Sequence, residues 1–246
     1  MSEPQKRVLV VGGTSDAIVE ITALLKQGYR VVHSRFSGSI PLETPHSPML
    51  KERFGALDTN GFIELIKREN VDQVVDAAHP FAEQVHVSAE CAACQCKIPY
   101  RRILRSGLQG LDRYSHIREV SSHDEAAQLC MQLGGTVLAT IGSRNIHCYQ
   151  SLLQKNGQVL FARVLDDPLS VNACLQCGIP SECIIQGRGP FSVADNLNHI
   201  LLSGARVLVT KDSGAQGGVY QKIEAAQRAG CLIIIIKRPS VGSVTT

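Results

Sequence analysis

The chain has 246 residues, 44% of them hydrophobic and 19% charged, with a formal net charge of +3. Those values exclude a disordered chain and leave room for one large or two small globular domains. So small a net charge argues against a nucleic-acid binder, and apolar runs of only strand length give neither a signal peptide nor a membrane span; the expectation is a cytoplasmic protein.

In chain order, the first element is the most informative. Val8-Leu9-Val10-Val11 runs into Gly12-Gly13-Thr14-Ser15-Asp16-Ala17. An aliphatic run, two glycines and then helix-capping residues are how a buried parallel strand passes into a helix whose N-terminus offers N–H groups to a phosphate. Against the Gly-x-Gly-x-x-Gly/Ala fingerprint, Gly12 and Ala17 fit, but Thr14 stands at the second glycine. That glycine lets the backbone approach a pyrophosphate, so its loss predicts that cofactor phosphates are shared with other strand ends. A helix over Ser15–Gln27 leads to a strand at Arg30–His33. An acidic residue near the end of this strand reads a free ribose 2′-hydroxyl. Here Ser34 and Arg35 occupy the place, and a hydroxyl with a guanidinium suits a 2′-phosphate. NADPH is therefore favoured over NADH, the plainer alternative being a solvated Arg35.

Pro41 to Pro48 reads as a surface loop. Helices near Asn60–Glu69 and Glu83–Gln95 and strands at Val74–Ala77 and Tyr100–Leu104 complete the first half. The polar stretch Ser106 to Ser115 reads as the boundary, giving domains 1–108 and 109–246. The second half repeats the alternation, with strands at Val137–Ile141, Gln158–Val164, Cys183–Gln186, Val207–Thr210 and Leu232–Lys237. Ser122 with Glu125, and Ser192 with Asp195, mark helix starts before Ala126–Leu133 and Asn196–Leu202. Short, continuously apolar strands alternating with helices predict an α/β fold of two Rossmann-like, doubly wound parallel-sheet domains with a cleft between them.

Ligands in such sheets bind at the carboxyl ends of the strands. The third strand runs into Asp76-Ala77-Ala78-His79-Pro80-Phe81-Ala82, and later strands open into Gly142-Ser143-Arg144, Gly187-Arg188-Gly189-Pro190-Phe191-Ser192 and Lys211-Asp212-Ser213-Gly214. His79, of a residue type whose unperturbed pKa lies near neutrality, suits a general acid or a carboxylate contact, against the alternative of a local turn cap. Lys211 and Ser213, beside glycines, suit a phosphate or carboxylate. Arg144 and Arg188 are further anion candidates. Lys97, Arg101, Arg102 and Arg105 form a basic cluster of the kind usually left solvated. The catalytic candidates are thus His79 and Lys211. The cofactor-binding candidates are Gly12, Gly13, Thr14, Ser15, Asp16, Ser34, Arg35, Gly142, Arg144, Gly189, Pro190, Phe191, Lys211, Asp212, Ser213 and Gly214. Nine cysteines form no disulfide framework. Cys91, Cys94 and Cys96, like Cys174 and Cys177, have ligand spacing but fall in helix ends, so reduced thiols and no metal are expected.

Gly12-Gly13-Thr14-Ser15-Asp16, Asp76-Ala77-Ala78-His79-Pro80-Phe81-Ala82, Gly189-Pro190-Phe191-Ser192, Thr210-Lys211-Asp212-Ser213-Gly214 and the closing Arg238-Pro239, in this order, resemble the precorrin-6A reductase and cobalt-precorrin-6A reductase family over nearly the whole chain. The resemblance implies two Rossmann-like domains that allow an exchange of terminal strands. It also implies an enzyme of cobalamin biosynthesis that reduces precorrin-6A, or its cobalt-containing counterpart, to the 6B form with NADPH or NADH. A tetrapyrrole substrate and a monomer or small homo-oligomer go with it. Two positions depart from the family pattern: Gln221-Lys222-Ile223 stands where Glu-Lys-Ile is frequent, and Ala78 precedes His79 where threonine is usual. The alternatives are a nucleotide-dependent transferase acting on a small acidic substrate and a non-enzymatic ligand sensor, since fold alone does not fix activity.

Overall fold

The structure, a computed structural model, describes residues 6–36, 43–111, 114 and 116–239. The chain divides into two compact units, Met1–Arg105 and Ser106–Thr246.

The first unit runs β1 (Arg7–Val11), α1 (Ser15–Lys26), β2 (Arg30–Arg35), β3 (Leu50–Phe54), α2 (Thr59–Glu69), β4 (Gln73–Asp76), α3 (Glu83–Gln95) and β5 (Tyr100–Arg102). Its parallel sheet has the order β3-β2-β1-β4-β5. The winding direction reverses between β1 and β4, the switch point where such sheets bind ligands. Successive β1 side chains face opposite ways. Val8 and Val10 pack with Ala17, Ile21 and Leu24 of α1. Leu9 and Val11 pack with Phe62, Leu65 and Ile66 of α2 and with Ala89, Ala92 and Ala93 of α3. Burial on both faces explains the unbroken apolar run, and each such side chain contributes about 1.5–3 kcal/mol.

The second unit runs β6 (Ile117–Val120), α4 (His123–Leu133), β7 (Val137–Ala139), α5 (His147–Lys155), β8 (Leu160–Val164), α6 (Pro168–Gln176), β9 (Ile184–Gln186), α7 (Val193–Ser203), β10 (Val207–Lys211), α8 (Val219–Arg228) and β11 (Leu232–Ile236). Its sheet, also parallel, reads β9-β8-β7-β10-β11-β6. That is the six-strand doubly wound order, with the sixth place taken by a strand that precedes β7 in the chain. All described strands pair inside their own unit. Residues 240–246 lie outside the described residues.

The sequence pattern predicts neither β3 nor β6. β3 (Leu-Lys-Glu-Arg-Phe) and β6 (Ile-Arg-Glu-Val) are edge strands with one neighbour each, so neither needs the double-sided burial that makes a strand apolar. The sequence pattern predicts neither α5 nor α8. Of the expected loop at Pro41 to Pro48, Pro41 and Leu42 fall outside the described residues, and the remainder leads without regular structure into β3. The expected boundary stretch also includes Asp112, Arg113 and Ser115, which lie outside them too. Ser192 and Asp195 form a complete capping box at α7. At α4 only half of one forms: Ser122 Oγ accepts from Glu125 N at 3.1 Å, while the Glu125 carboxylate accepts from Ser121 N at 2.7 Å.

Candidate active site

In the first unit the β1–α1 turn is built against the end of β4. Gly12 has φ +125°, and a Cβ there would lie 2.6 Å from both Ala77 O and Ala78 N. Only glycine fits such a backbone in such a space. Gly12 N donates to Ser34 O at 2.9 Å, and Gly12 O lies 2.7 Å from His33 Nε2. Thr14 explains the altered fingerprint. Its hydroxyl donates to Ala77 O at 2.7 Å and accepts from Ala17 N at 3.3 Å, so it caps α1 and ties that helix to β4. Asp16, in the first turn of α1, is held by Arg105 Nε at 2.6 Å, with both side chains largely buried. Arg105 is therefore no solvated edge charge, whereas Arg101, paired with Glu20, stays exposed on the edge strand β5.

Ser34 and Arg35 close β2, and both are buried. Ser34 Oγ accepts from Arg53 Nη1 at 3.3 Å. Arg35 Nη2 pairs with Glu52 Oε1 at 3.2 Å, and its guanidinium stands 4.8 Å over the Phe54 ring. The plainer alternative for Arg35, a solvated loop charge, does not hold. Burial keeps His33, 3.4 Å from the same Glu52 oxygen, below the ordinary histidine range.

The His79 turn rests on a buried polar network absent from the sequence reading. Asp76 is fully buried; its Oδ2 lies 2.6 Å from His86 Nδ1 and accepts from Tyr100 OH at 2.7 Å, while Oδ1 accepts from Ala78 N at 2.9 Å. Burial works to raise the carboxyl, yet the His86, Tyr100 and Ala78 contacts together hold it below its ordinary value. His86 Nε2 reaches His79 O at 3.1 Å, which fixes the turn. His79 Nδ1 accepts from Phe81 N at 3.3 Å, so the proton of the neutral ring sits on Nε2.

In the second unit three turns gather around the switch point between β7 and β10. Thr140, after β7, bonds Val209 O through both its amide (2.8 Å) and its hydroxyl (2.9 Å). Gly142 follows with φ +80°, then the exposed Arg144. At the end of β10, burial and the charge of Arg144 bring the Lys211 amine down to about 8. Asp212 braces this turn: Oδ1 accepts from Gly214 N at 3.1 Å and from Arg238 Nη2 at 3.0 Å, and Asp212 O accepts from Arg238 Nε at 3.0 Å. Ser213 is buried, and Gly214 has φ +75°. The Gly189–Phe191 turn, with a cis Gly189–Pro190 bond, lies beside Gly218: a Cβ there would meet Pro190 Cβ at 3.5 Å.

Below these turns lie cations the sequence reading did not place. Arg163 donates from Nη1 to Asn196 Oδ1 at 2.8 Å and to His199 Nδ1 at 3.0 Å, and stacks 4.1 Å from the Phe191 ring. Burial brings it down to about 10. Lys222, on α8, is buried and donates to Thr210 Oγ1 at 3.0 Å. Burial, then the charges of Arg163 and Lys211, take its amine down to about 7. No feature of Gln221-Lys222-Ile223 as a sequence tells a buried lysine from a solvated one.

The family model for precorrin-6x reductase CbiJ/CobK matches residues 7–246. The chain belongs to the precorrin-6x reductase family. It is 33% identical over 235 residues to a cobalt-precorrin-6A reductase of Priestia megaterium, covering 95% of this chain and 91% of that protein. It is 30% identical over 242 residues to a precorrin-6A reductase of Rhodococcus erythropolis, with 97% and 92% covered. The solved structure of CobK precorrin-6A reductase superposes with a TM-score of 0.76 at 25% identity, over 97% of this chain and 90% of that one.

Precorrin-6x reductase membership carries a nicotinamide cofactor with it, and the residues fit one. The β1–α1 turn carries no side chain at Gly12 or Gly13 and leads into the N-terminus of α1 at a switch point, and the neighbouring β2 ends in Ser34, bonded by Arg53, and in Arg35. Among the described residues, no group of three His, Cys, Asp or Glu side chains could hold a metal ion, and no helix is long and apolar enough to cross a membrane. All nine cysteines are free; Cys130, Cys174, Cys183 and Cys231 are buried, while Cys96 and Cys177 sit at helix C-caps.

Proposed function

We propose that this reductase converts precorrin-6A, or its cobalt-containing counterpart, to the 6B form, using NADPH in preference to NADH. In the first unit, the N–H groups of Gly13 and Ser15, at the N-terminus of the helix that Thr14 caps, hold coenzyme phosphate, with Gly12 keeping the turn against the end of β4 and Asp16 kept in place by Arg105. Ser34 and Arg35, joined by Arg53, meet the 2′-phosphate. In the second unit, Arg144, Lys211 and the turns at Gly142, Gly189–Phe191 and Asp212–Gly214 offer the scattered donors that coenzyme phosphates and a polycarboxylate macrocycle require.

The bound nicotinamide supplies hydride to a ring carbon; the protein's own residues orient both partners, exclude water and deliver a proton to the neighbouring carbon. Lys211 is the proton donor. The observation that carries this role is its place at the switch point of the second sheet, with an amine brought to about 8 by burial and Arg144. A group with that property holds its proton near neutrality and gives it up readily. His79 presents Nε2–H and takes the role of a hydrogen-bond donor to a substrate carboxylate.

The test is NADPH oxidation, followed by its absorbance, with and without an oxidised corrinoid substrate. Absorbance should fall only when the substrate is present, and NADPH alone should raise the melting temperature. No melting shift from either nicotinamide at about 1 mM, a concentration that reveals even weak binding, would defeat the proposal.

A further inference from the structure

We infer that Glu52 sets the coenzyme preference of the first unit, by offsetting the charge of Arg35 beside the ribose 2′ position. The inference rests on the reading that this unit holds the nicotinamide coenzyme. An acidic residue is missing from the end of β2, where a 2′-hydroxyl is ordinarily read. The structure supplies one from the neighbouring edge strand. In the parallel register Glu52 lies opposite His33 and Phe54 opposite Arg35. His33 and Arg35 are two residues apart and share a face, and the Glu52 carboxylate reaches both, at 3.4 Å and 3.2 Å. Thr44 Oγ1 holds the second carboxylate oxygen at 3.5 Å, and Phe54 lies under the guanidinium. Arg53, from the same strand as Glu52, donates to Ser34.

On the face that Glu52 shares with Arg35, the end of β2 therefore carries one guanidinium and one carboxylate in an ion pair, while Arg53 bonds Ser34 on the opposite face. The formal sum of the pair is zero (Arg35 against Glu52). A 2′-phosphate brings about −1.5 to −2 charges and feels that sum directly, whereas a 2′-hydroxyl is neutral and gains from a nearby carboxylate acceptor. Glu52 accordingly weakens selection for the phosphate and keeps the site open to both coenzymes. Removing the Glu52 charge raises the sum to +1, and removing Arg35 alone lowers it to −1. Removing both restores zero and buries no unmatched charge.

The experiment is a double-mutant cycle on the full chain, with Kd for NADPH and for NADH measured by calorimetry without corrinoid. Glu52→Gln should improve the NADPH to NADH affinity ratio about tenfold, equivalent to about 1.4 kcal/mol. Arg35→Ala should lower that ratio, and the double variant Arg35→Ala/Glu52→Gln should return it to within about threefold of the original. The double variant keeps the test decisive if Glu52→Gln alone fails to fold. If the double variant binds NADPH as poorly as Arg35→Ala, Glu52 only holds Arg35 in place and the inference falls. If neither Arg35→Ala nor the double variant changes the affinity for either coenzyme, the placement of the coenzyme in this unit falls as well.

Discussion

Lys222→Met should stabilise this protein, and do so in a pH-dependent way. The Lys222 amine is buried on α8 and donates one hydrogen bond, to Thr210 Oγ1, with no ion pair to a carboxylate among the described residues. Its folded value is about 7, against about 10.4 for a lysine in an unfolded chain. Between those two values the unfolded chain binds a proton that the folded chain lacks. The contribution of Lys222 therefore becomes more favourable as pH rises through that window, and the penalty is complete below about pH 7. At about 1.4 kcal/mol per unit, a displacement of roughly three and a half units amounts to about 5 kcal/mol. Methionine keeps the length and removes the charge, at the cost of about 1 kcal/mol for the Thr210 bond. The variant should gain roughly 3–4 kcal/mol at pH 6, and the difference should shrink to about 1 kcal/mol or less at pH 10. The chain has no tryptophan, so urea unfolding is best followed by circular dichroism. A difference between the two proteins that stays constant from about pH 6 to pH 10, or a variant less stable at pH 6, would refute the reasoning.

Lys211 is expected to govern the alkaline limb of the rate profile. A donor at about 8 loses its proton above that pH, so kcat should decline there. Lys211→Met should abolish the limb and cut kcat by about 10²–10⁴, and an unchanged profile would remove Lys211 from that role. Gly12→Ala should cost roughly 3 kcal/mol or more, because the new Cβ would meet backbone of the β4 end at 2.6 Å in a φ that alanine rarely adopts. Chemical denaturation and NADPH titration should both show the loss; wild-type values in both would mean that the turn tolerates a side chain.

Much of the fold was legible in the chain because parallel strands buried on both faces must be apolar throughout. Val8–Val11 and Val207–Thr210 show it, and so do the caps at Ser122 and Ser192. Gly12 with Thr14, His79 and the Lys211 turn could be picked out because strand ends in doubly wound sheets collect the ligands, and glycine marks backbone that no other residue follows. What the sequence did not reveal belongs to places where the physical cause is not local. β3 and β6 are polar because they are edges, and being an edge depends on the order of the whole sheet. Asp76, His86 and Tyr100 come together from a strand, a helix and the next strand. Glu52 meets Arg35 only through the register of β3 on β2. The sequence by itself determined two alternating α/β halves and the turns that carry their chemistry, because burial periodicity and backbone conformation are written in consecutive residues. Only the tertiary structure decided that Lys222, Arg163 and Arg35 are buried rather than solvated, and what each of them faces. A charge is desolvated by neighbours distant in the chain, and no local pattern records them.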